Sequence, residues 1–361
     1  MSLLIFIAIL IALIWVHELG HFTAAKLFGI RVDEFAIGFP PRLLRVKYGE
    51  TEYTFNLLLV GGFVRIHGED PGTNIKDPRS MASKPRLVQA AVIVAGVVMN
   101  LLVGWLALSG GYMVGMAATP NSASFGEVRD VRPMIGQVFA ASPAEKVGLV
   151  AGDSILSLQT ATDVLAAGAT AEDVTRFIGE HQNDSFVITV LRKGEEKVFV
   201  AMPAEGITPD KKVLGISMAD VGVLQLPPHL ALLQGAVSAK QVTIATAVGL
   251  GGFFSQLARG AADWGAVSGP IGIAGAGASA VQEGFAAAAY LTALISINLA
   301  IINIIPIPGL DGGRLLIIGV EAVLRRPVSS KVITSLSLTG FALLILLMVV
   351  VTYHDIAKLI G

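Results

Sequence analysis

Between Leu3 and Ala25 the chain carries one residue certain to be charged in water, Glu18. An apolar stretch of this length has few structural choices. In a bilayer every backbone N–H and C=O must find its partner within the protein, so a single segment crosses as a helix. Glu18 lies in Ile14-Trp15-Val16-His17-Glu18-Leu19-Gly20-His21-Phe22, an H-E-x-x-H pattern. Two histidines four apart share one helix face, one turn apart, so both imidazoles can reach one metal ion. The glutamate between them is placed to act on water at that metal. By helical rise His17 stands about 22 Å from Ser2 and about 14 Å from Lys26, inside the span and nearer its Lys26 end.

Two plainer readings compete. A cleaved signal peptide needs a basic start, and Met1-Ser2 offers none. Polar residues also act as glue between helices, but that role usually falls to Ser, Thr, Asn or small residues. Ionisable side chains at membrane depth are costly and mark functional sites by default. The metal reading is the better one.

Composition extends this to the whole chain. Only 15% of the 361 residues are charged, against about 25% in a soluble domain. Most of the chain therefore lives in lipid or packs against it. The net charge of −1 gives no sign of a nucleic-acid partner. There is no cysteine, which leaves metal ligation to His, Asp and Glu. Its absence does not fix the compartment.

The pattern along the chain predicts a membrane α-helical protein with about four transmembrane helices, a β-hairpin on the cytoplasmic face and an inserted α+β domain. Residues 1–116 form the first part of a transmembrane core. Span one is Leu3 to Ala25. A polar loop follows, with a turn-rich Phe35 to Pro41, strands at Leu43 to Val46 and Glu52 to Leu59, and a further candidate at Gly61 to Ile66. Such a hairpin could offer an edge to an extended substrate, or could be an ordinary surface hairpin. Span two runs from about Val88 to Val114, with Gln89 and Asn100 as its main polar residues. Asn100 could face the metal, though an interhelical hydrogen bond is the more ordinary role.

Residues 127–205 read as a separate domain of short strands and turns, with a helix at about Ala171 to His181 and strands at Ser185 to Leu191 and Glu196 to Met202. Residues 206–283 read as a linker. Within it Gln241 to Ala258 suits an interfacial amphipathic helix, and Ser268 to Ile273 reads as a loop. Residues 284–361 complete the core with spans at Phe285 to Ile305 and Val332 to Tyr353.

Lys26, Arg31, Lys84 and Arg86 flank the first loop, and Arg314, Arg325, Arg326 and Lys331 flank the last connection. The positive-inside rule puts both in the cytoplasm, and the 127–205 domain and both termini on the other side.

Two histidines need a third protein ligand. Asn303-Ile304-Ile305-Pro306-Ile307-Pro308-Gly309-Leu310-Asp311-Gly312-Gly313 supplies Asp311 near the cytoplasmic end of span three. Prolines and glycines break the helix there, and irregular backbone at membrane depth is tolerated where it lines a cavity or is buried in protein. Alone, Asp311 reads as a helix cap. Beside the histidine pair, ligation is the better reading.

Four motifs together carry a resemblance: H-E-x-x-H, the S-P-A-x-x-x-G-L-x-x-G-D-x-I-L run from Ser142 to Leu156, G-P-x-G-I from Gly269, and N-x-x-P-x-P-x-L-D-G-G from Asn303. The second resembles a PDZ domain of bacterial type. Across nearly its whole length the chain resembles the site-2 protease family (peptidase family M50), most of all bacterial members of the RseP-like kind with a single PDZ domain. The resemblance implies an intramembrane zinc metalloendopeptidase with His17, His21 and Asp311 as Zn2+ ligands and Glu18 as catalytic base. It implies that Asn303, Pro306 and Pro308 lie along the substrate path, and that Gly61 to Asp70 belongs to a membrane-associated hairpin. The implied substrates are single-span membrane proteins, such as anti-sigma-factor-like regulators or signal-peptide remnants, some first trimmed by another protease.

The implied setting is a bacterial inner membrane, with the PDZ-like domain gating access from the periplasmic side and binding peptide ends near Pro133 to Val138. One departure is Gly96-Val97-Val98-Met99-Asn100, which lacks the proline often found after that glycine. Two other classes fit less well. A zinc-binding scaffold has no need of Glu18, and a transporter of the inverted-repeat kind should show an internal repeat.

Overall fold

A computed structural model describes residues 1–69, 77–165, 168–192, 194–208, 211–261, 267–326 and 328–360. In chain order the elements are α1 (Ser2–Leu27), β1 (Val32–Tyr48), β2 (Thr51–Ile66), α2 (Arg86–Val114), β3 (Met116–Ala118), β4 (Arg129–Val138), α3 (Pro143–Val147), β5 (Ser154–Gln159), β6 (Val164–Leu165) and α4 (Ala171–Glu180). They continue with β7 (Phe186–Arg192), β8 (Glu195–Ala201), β9 (Ala204–Thr208), β10 (Lys211–Val213), β11 (Ile216–Leu224), α5 (Pro228–Ala258), α6 (Pro270–Glu283), α7 (Phe285–Ile304), α8 (Asp311–Leu324) and α9 (Ser330–Ile360). Among the described residues four helices are long and apolar enough to cross a membrane: α1, α2, α7 and residues Ser330–Ala357 of α9. They coincide with the four expected spans. The chain divides into two compact units, Met1–Ser109 with Gly235–Gly361, and Gly110–Gln234.

In the first unit, large apolar side chains point outward. Leu338, Phe341, Leu346 and Val349 of α9 are exposed, as are Leu3, Leu4 and Ile7 of α1, as suits helices solvated by lipid. Small residues bring helices close. A Cβ on Gly20 of α1 would stand 2.5 Å from the Ala95 carbonyl oxygen of α2, so these backbones touch. Gly277 of α6 lies directly on the Phe6 ring of α1. Asp355 of α9 is buried. Its carboxylate accepts from Gly269 N (3.0 Å) and Gly272 N (2.9 Å) and so caps the N-terminus of α6, which has no capping side chain of its own.

The loop between the first two spans is more strand-like than its sequence indicates. Phe35 to Pro41, with its turn residues, is part of β1. Residues Glu34–Ile37 pair with Gly62–Arg65 on one side and with Glu52–Phe55 on the other, while Arg42–Tyr48 pairs with Thr51–Asn56. The two long strands thus fold back into four short rows, and Gly62–Ile66 is an outer row. Buried Glu34 holds the rows together, taking hydrogen bonds from Thr54 Oγ1 (2.9 Å) and Arg42 and an ion pair with Arg65. Asp70, the last residue expected in this hairpin, lies outside the described residues.

The second unit is built on a seven-stranded sheet in the order β3-β11-β4-β5-β7-β8, with β6 on β5, and carries a separate pair, β9 with β10. Its core includes Ile135, Leu158, Phe186, Ile188, Val190 and Leu214, all at most 1% exposed. The S-P-A-x-x-x-G-L-x-x-G-D run has a local reason for each fixed residue. Ser142 caps α3 by accepting from Glu145 N, and Pro143 opens the helix. Gly148 closes it in the left-handed conformation at φ 88°. Asp153 is fully buried and receives Arg192 Nε at 2.6 Å and Val150 N at 3.0 Å.

Two expectations differ from what is seen. The stretch read as a linker from residue 206 supplies β10 and β11, and β11 is an integral strand of the sheet, paired along β4. Gln241–Ala258 is helical, as expected, and forms the second half of the 31-residue α5. Pro270, expected in a loop, opens α6; proline is favoured at a first helical position because its missing N–H would be unsatisfied anyway.

Candidate metal centre

His17, Glu18 and His21 sit on α1, as their spacing requires. Both imidazoles are buried, at 7% and 8% exposure, edge to face with ring centroids 4.8 Å apart. Space for them comes from α2. A Cβ at Gly96 would stand 2.5 Å from His21 Nε2 and 2.8 Å from His17 Cε1. Only glycine fits there. Val92, Gly96 and Asn100 follow at intervals of four and form one stripe of α2. The Val92 carbonyl lies 2.9 Å from His21 Nδ1, and the Asn100 side-chain nitrogen lies 3.2 Å from His17 Nδ1. Asn100 is itself held, because Ser296 Oγ of α7 donates to its carbonyl at 2.7 Å.

Asp311 arrives from the other end of the chain. After α7 the chain turns through Ile305–Leu310, and Asp311 opens α8. Gly312 abuts the carbonyls of Ile304 and Ile305, and Gly313 that of Ile307. A side chain at either glycine would push the turn open. Gly340 of α9 packs against the Pro308 carbonyl from outside. Arg314, one turn along α8, donates to the Glu69 carbonyl at 2.7 Å and pairs with the Glu69 carboxylate, which ties α8 to the end of the β-rows. Leu310, with no side-chain cap, precedes the helix. The Asp311 carboxylate turns to the histidines.

Asp311 Oδ2 lies 3.0 Å from His17 Nε2 and 3.3 Å from His21 Nε2, and the two Nε2 atoms are 3.2 Å apart. These three residues are the one His/Cys/Asp/Glu cluster with metal-holding geometry among the described residues. Ligands about 2.0–2.1 Å from one tetrahedral ion stand roughly 3.3 Å from each other. Two imidazoles and a carboxylate with this separation fit zinc, with a fourth position left over.

Glu18 is half-buried beside the outer β-row: a Cβ on Gly62 would come 3.6 Å from Glu18 Cγ. Asn303 lies on the last turn of α7, half-buried, with Pro306 exposed and Pro308 half-buried in the turn before Asp311. The structure thus gathers His17, His21 and Asp311, sets Glu18 next to His17, and places Asn303, Pro306 and Pro308 along the chain leading in. Reading the sequence undervalued Asn100, Gly96 and the Val92 carbonyl. Their spacing of four was the available signal. The absent proline after Gly96 has a simple outcome: α2 runs unbroken from Arg86 to Val114.

In the second unit, Pro133–Val138 of β4 is not a free edge. β11 flanks it throughout, and β5 joins it at Met134 and Ile135. The row with an open side is β11, where β3 pairs only Gly222–Leu224. Residues Ile216–Val221 therefore have no partner strand on that side among the described residues. Asp220 of β11 accepts from Ala171 N at the start of α4 (2.7 Å).

Comparison with known proteins agrees with this site. The profile of the family described as Peptidase family M50 matches residues 5–347. A Nostoc protein named "putative zinc metalloprotease" is 34% identical, the match covering 96% of this chain and 93% of the relative. A Synechocystis protein of the same description is 35% identical over 98% of this chain and 94% of its own length. The zinc metalloprotease RasP of Geobacillus kaustophilus is 29% identical, with 99% and 98% covered.

Proposed function

The chain belongs to peptidase family M50, and from that premise we propose that it is an intramembrane zinc metalloendopeptidase that cuts single-span membrane proteins. The observation that carries this reading is the convergence of His17 Nε2, His21 Nε2 and Asp311 Oδ2 on a helix long enough to cross a membrane. His17, His21 and Asp311 hold the ion. Zinc, when bound, supplies a Lewis acid and brings the pKa of its water towards about 7. Glu18 takes a proton from the attacking water and returns it to the leaving amine. A helical substrate must first unwind, because its carbonyls are occupied by their own hydrogen bonds. The outer row Gly62–Ile66, beside Glu18, pairs with the unwound strand, and Asn303, Pro306 and Pro308 line its path.

In this reading the first loop and the Asp311 turn face the cytoplasm of a bacterial inner membrane. The Gly110–Gln234 unit lies on the far side, is of PDZ type, and takes peptide ends along Ile216–Val221 against α4. It admits trimmed substrates and excludes bulky ones. The test is a reconstituted enzyme with a single-span model substrate. Wild type should carry one zinc and cleave, and a chelator should stop it. Glu18→Gln should keep the zinc and lose cleavage by a factor of roughly 10²–10⁴. Zinc without cleavage in wild type would make the protein a zinc-binding scaffold, and no zinc at all would refute the site.

A further inference from the structure

The inference concerns the nitrogen of His17 that faces away from the metal, and it rests on the reading of His17, His21 and Asp311 as zinc ligands. Each histidine presents Nε2 to the cluster. A neutral imidazole that ligates through Nε2 carries its proton on Nδ1, and that N–H needs an acceptor. His21 has one built into the backbone, the Val92 carbonyl at 2.9 Å. His17 faces a side chain instead, the Asn100 amide, whose nitrogen lies 3.2 Å from Nδ1. Asn100 is 0% exposed, and its Oδ1 is buried with no hydrogen-bond partner. In that orientation two donors would meet once His17 binds metal, while a buried acceptor goes unused.

A half-turn of the amide removes both faults. The oxygen then accepts from His17 Nδ1–H, and the two orientations differ only by exchanging atoms of nearly equal size. The orientation with nitrogen towards His17 suits the other tautomer, in which Nδ1 accepts from Asn100 and Nε2–H donates to Asp311 Oδ2 at 3.0 Å. We propose that Asn100 is the positioning residue that selects the metal-binding tautomer of His17, and that its amide turns over as zinc enters. An amide carries both a donor and an acceptor and serves both tautomers without moving its backbone. That backbone is pinned by Ser296 Oγ at 2.7 Å. The same stripe of α2 thus controls both imidazoles, by a main-chain carbonyl for one and a reversible side chain for the other.

Zinc affinity, measured by chelator competition on the full-length protein, tests this beside the melting temperature of zinc-stripped protein. Removing an outer hydrogen bond to a metal-bound histidine typically costs 10- to 100-fold in affinity. Asn100→Leu should lose zinc affinity by about that factor while the stripped protein still folds and melts cooperatively. Asn100→Asp keeps an acceptor oxygen and fits only the loaded tautomer, so it should bind zinc as tightly as wild type or more tightly. Wild-type affinity in Asn100→Leu overturns the proposal. Equal losses in both variants overturn it too, since the site then needs the shape of asparagine rather than an acceptor. Wild-type protein that binds no zinc overturns the ligand assignment, and this inference with it.

Discussion

In the unit of Met1–Ser109 and Gly235–Gly361, the interior holds His17, His21, Glu34, Asn100, Ser296 and Asp355 beside an apolar cluster that includes Ile30, Val32 and Val92, while Leu3, Leu4 and Ile7 of α1 and Leu338, Phe341 and Leu346 of α9 face outward. In the Gly110–Gln234 unit the interior is chiefly apolar. Its core includes Ile135, Leu158 and Phe186, and among the described residues its one buried charge, Asp153, is answered by Arg192. A sheet in water gains stability by hiding apolar surface. A helix in lipid gains nothing from that, since lipid tails are as apolar as leucine. What specifies its packing is close backbone approach at Gly20, room for side chains against Gly96 and Gly277, and hydrogen bonds between distant segments.

This contrast makes separable predictions. Gly96→Ala should have the largest effect: its new methyl overlaps both imidazoles, so zinc and cleavage should be lost together. Zinc content after purification checks this, and full retention would mean that α1 and α2 part at little cost. Next comes Asp153→Ala, which leaves Arg192 and Val150 N without their acceptor in the other unit. It should destabilise that unit by about 3 kcal/mol with no change in zinc bound. A calorimetric trace with an unshifted transition would contradict it.

Replacing Gly115–Leu226 by a short linker should widen substrate choice without abolishing cleavage. The excision must run that far, because a cut at 127 and 205 would strand β3 and β11 without the rest of their sheet. Loss of all cleavage would show that the unit does more than filter. The smallest effect belongs to Thr170→Ala, which removes the capping box of α4 and should cost about 1 kcal/mol. The Thr170 backbone N–H and, after it, the Thr170 hydroxyl that the substitution removes hold the Asp173 carboxyl below its usual range. Because that pKa is lowered on folding, its contribution is present above the ordinary aspartate pKa of 3.8 and fades as pH falls below it. The gap between wild type and variant should therefore narrow in acid. A gap independent of pH would assign the whole effect to the bond that Thr170 Oγ1 accepts from Asp173 N.

The four spans and the pairing of His17 and His21 were legible in the sequence, because both depend on local helix geometry. Asp311 was legible through the broken helix around it. What was hidden was non-local. Nothing near Asp355 says that it caps α6, whose first residues lie more than eighty positions earlier. Pro133–Val138 has the pattern of a binding strand, yet β11, read as part of a linker, covers it. Phe35–Pro41 has turn composition, but pairing on both flanks of Glu34–Ile37 overrides it. Local preference decides where alternatives are close, and two rows of backbone partners leave none.

The outer row Gly62–Ile66 has one further consequence. A strand edge bonds to main-chain groups, which every residue shares. A protease that grips its target there is nearly blind to spelling. It discriminates by how easily a stretch of the target gives up its coil, so glycine, proline or asparagine buried in a client's span should matter more than any residue flanking the cut. Recognition then becomes a mechanical test of the substrate rather than a chemical one.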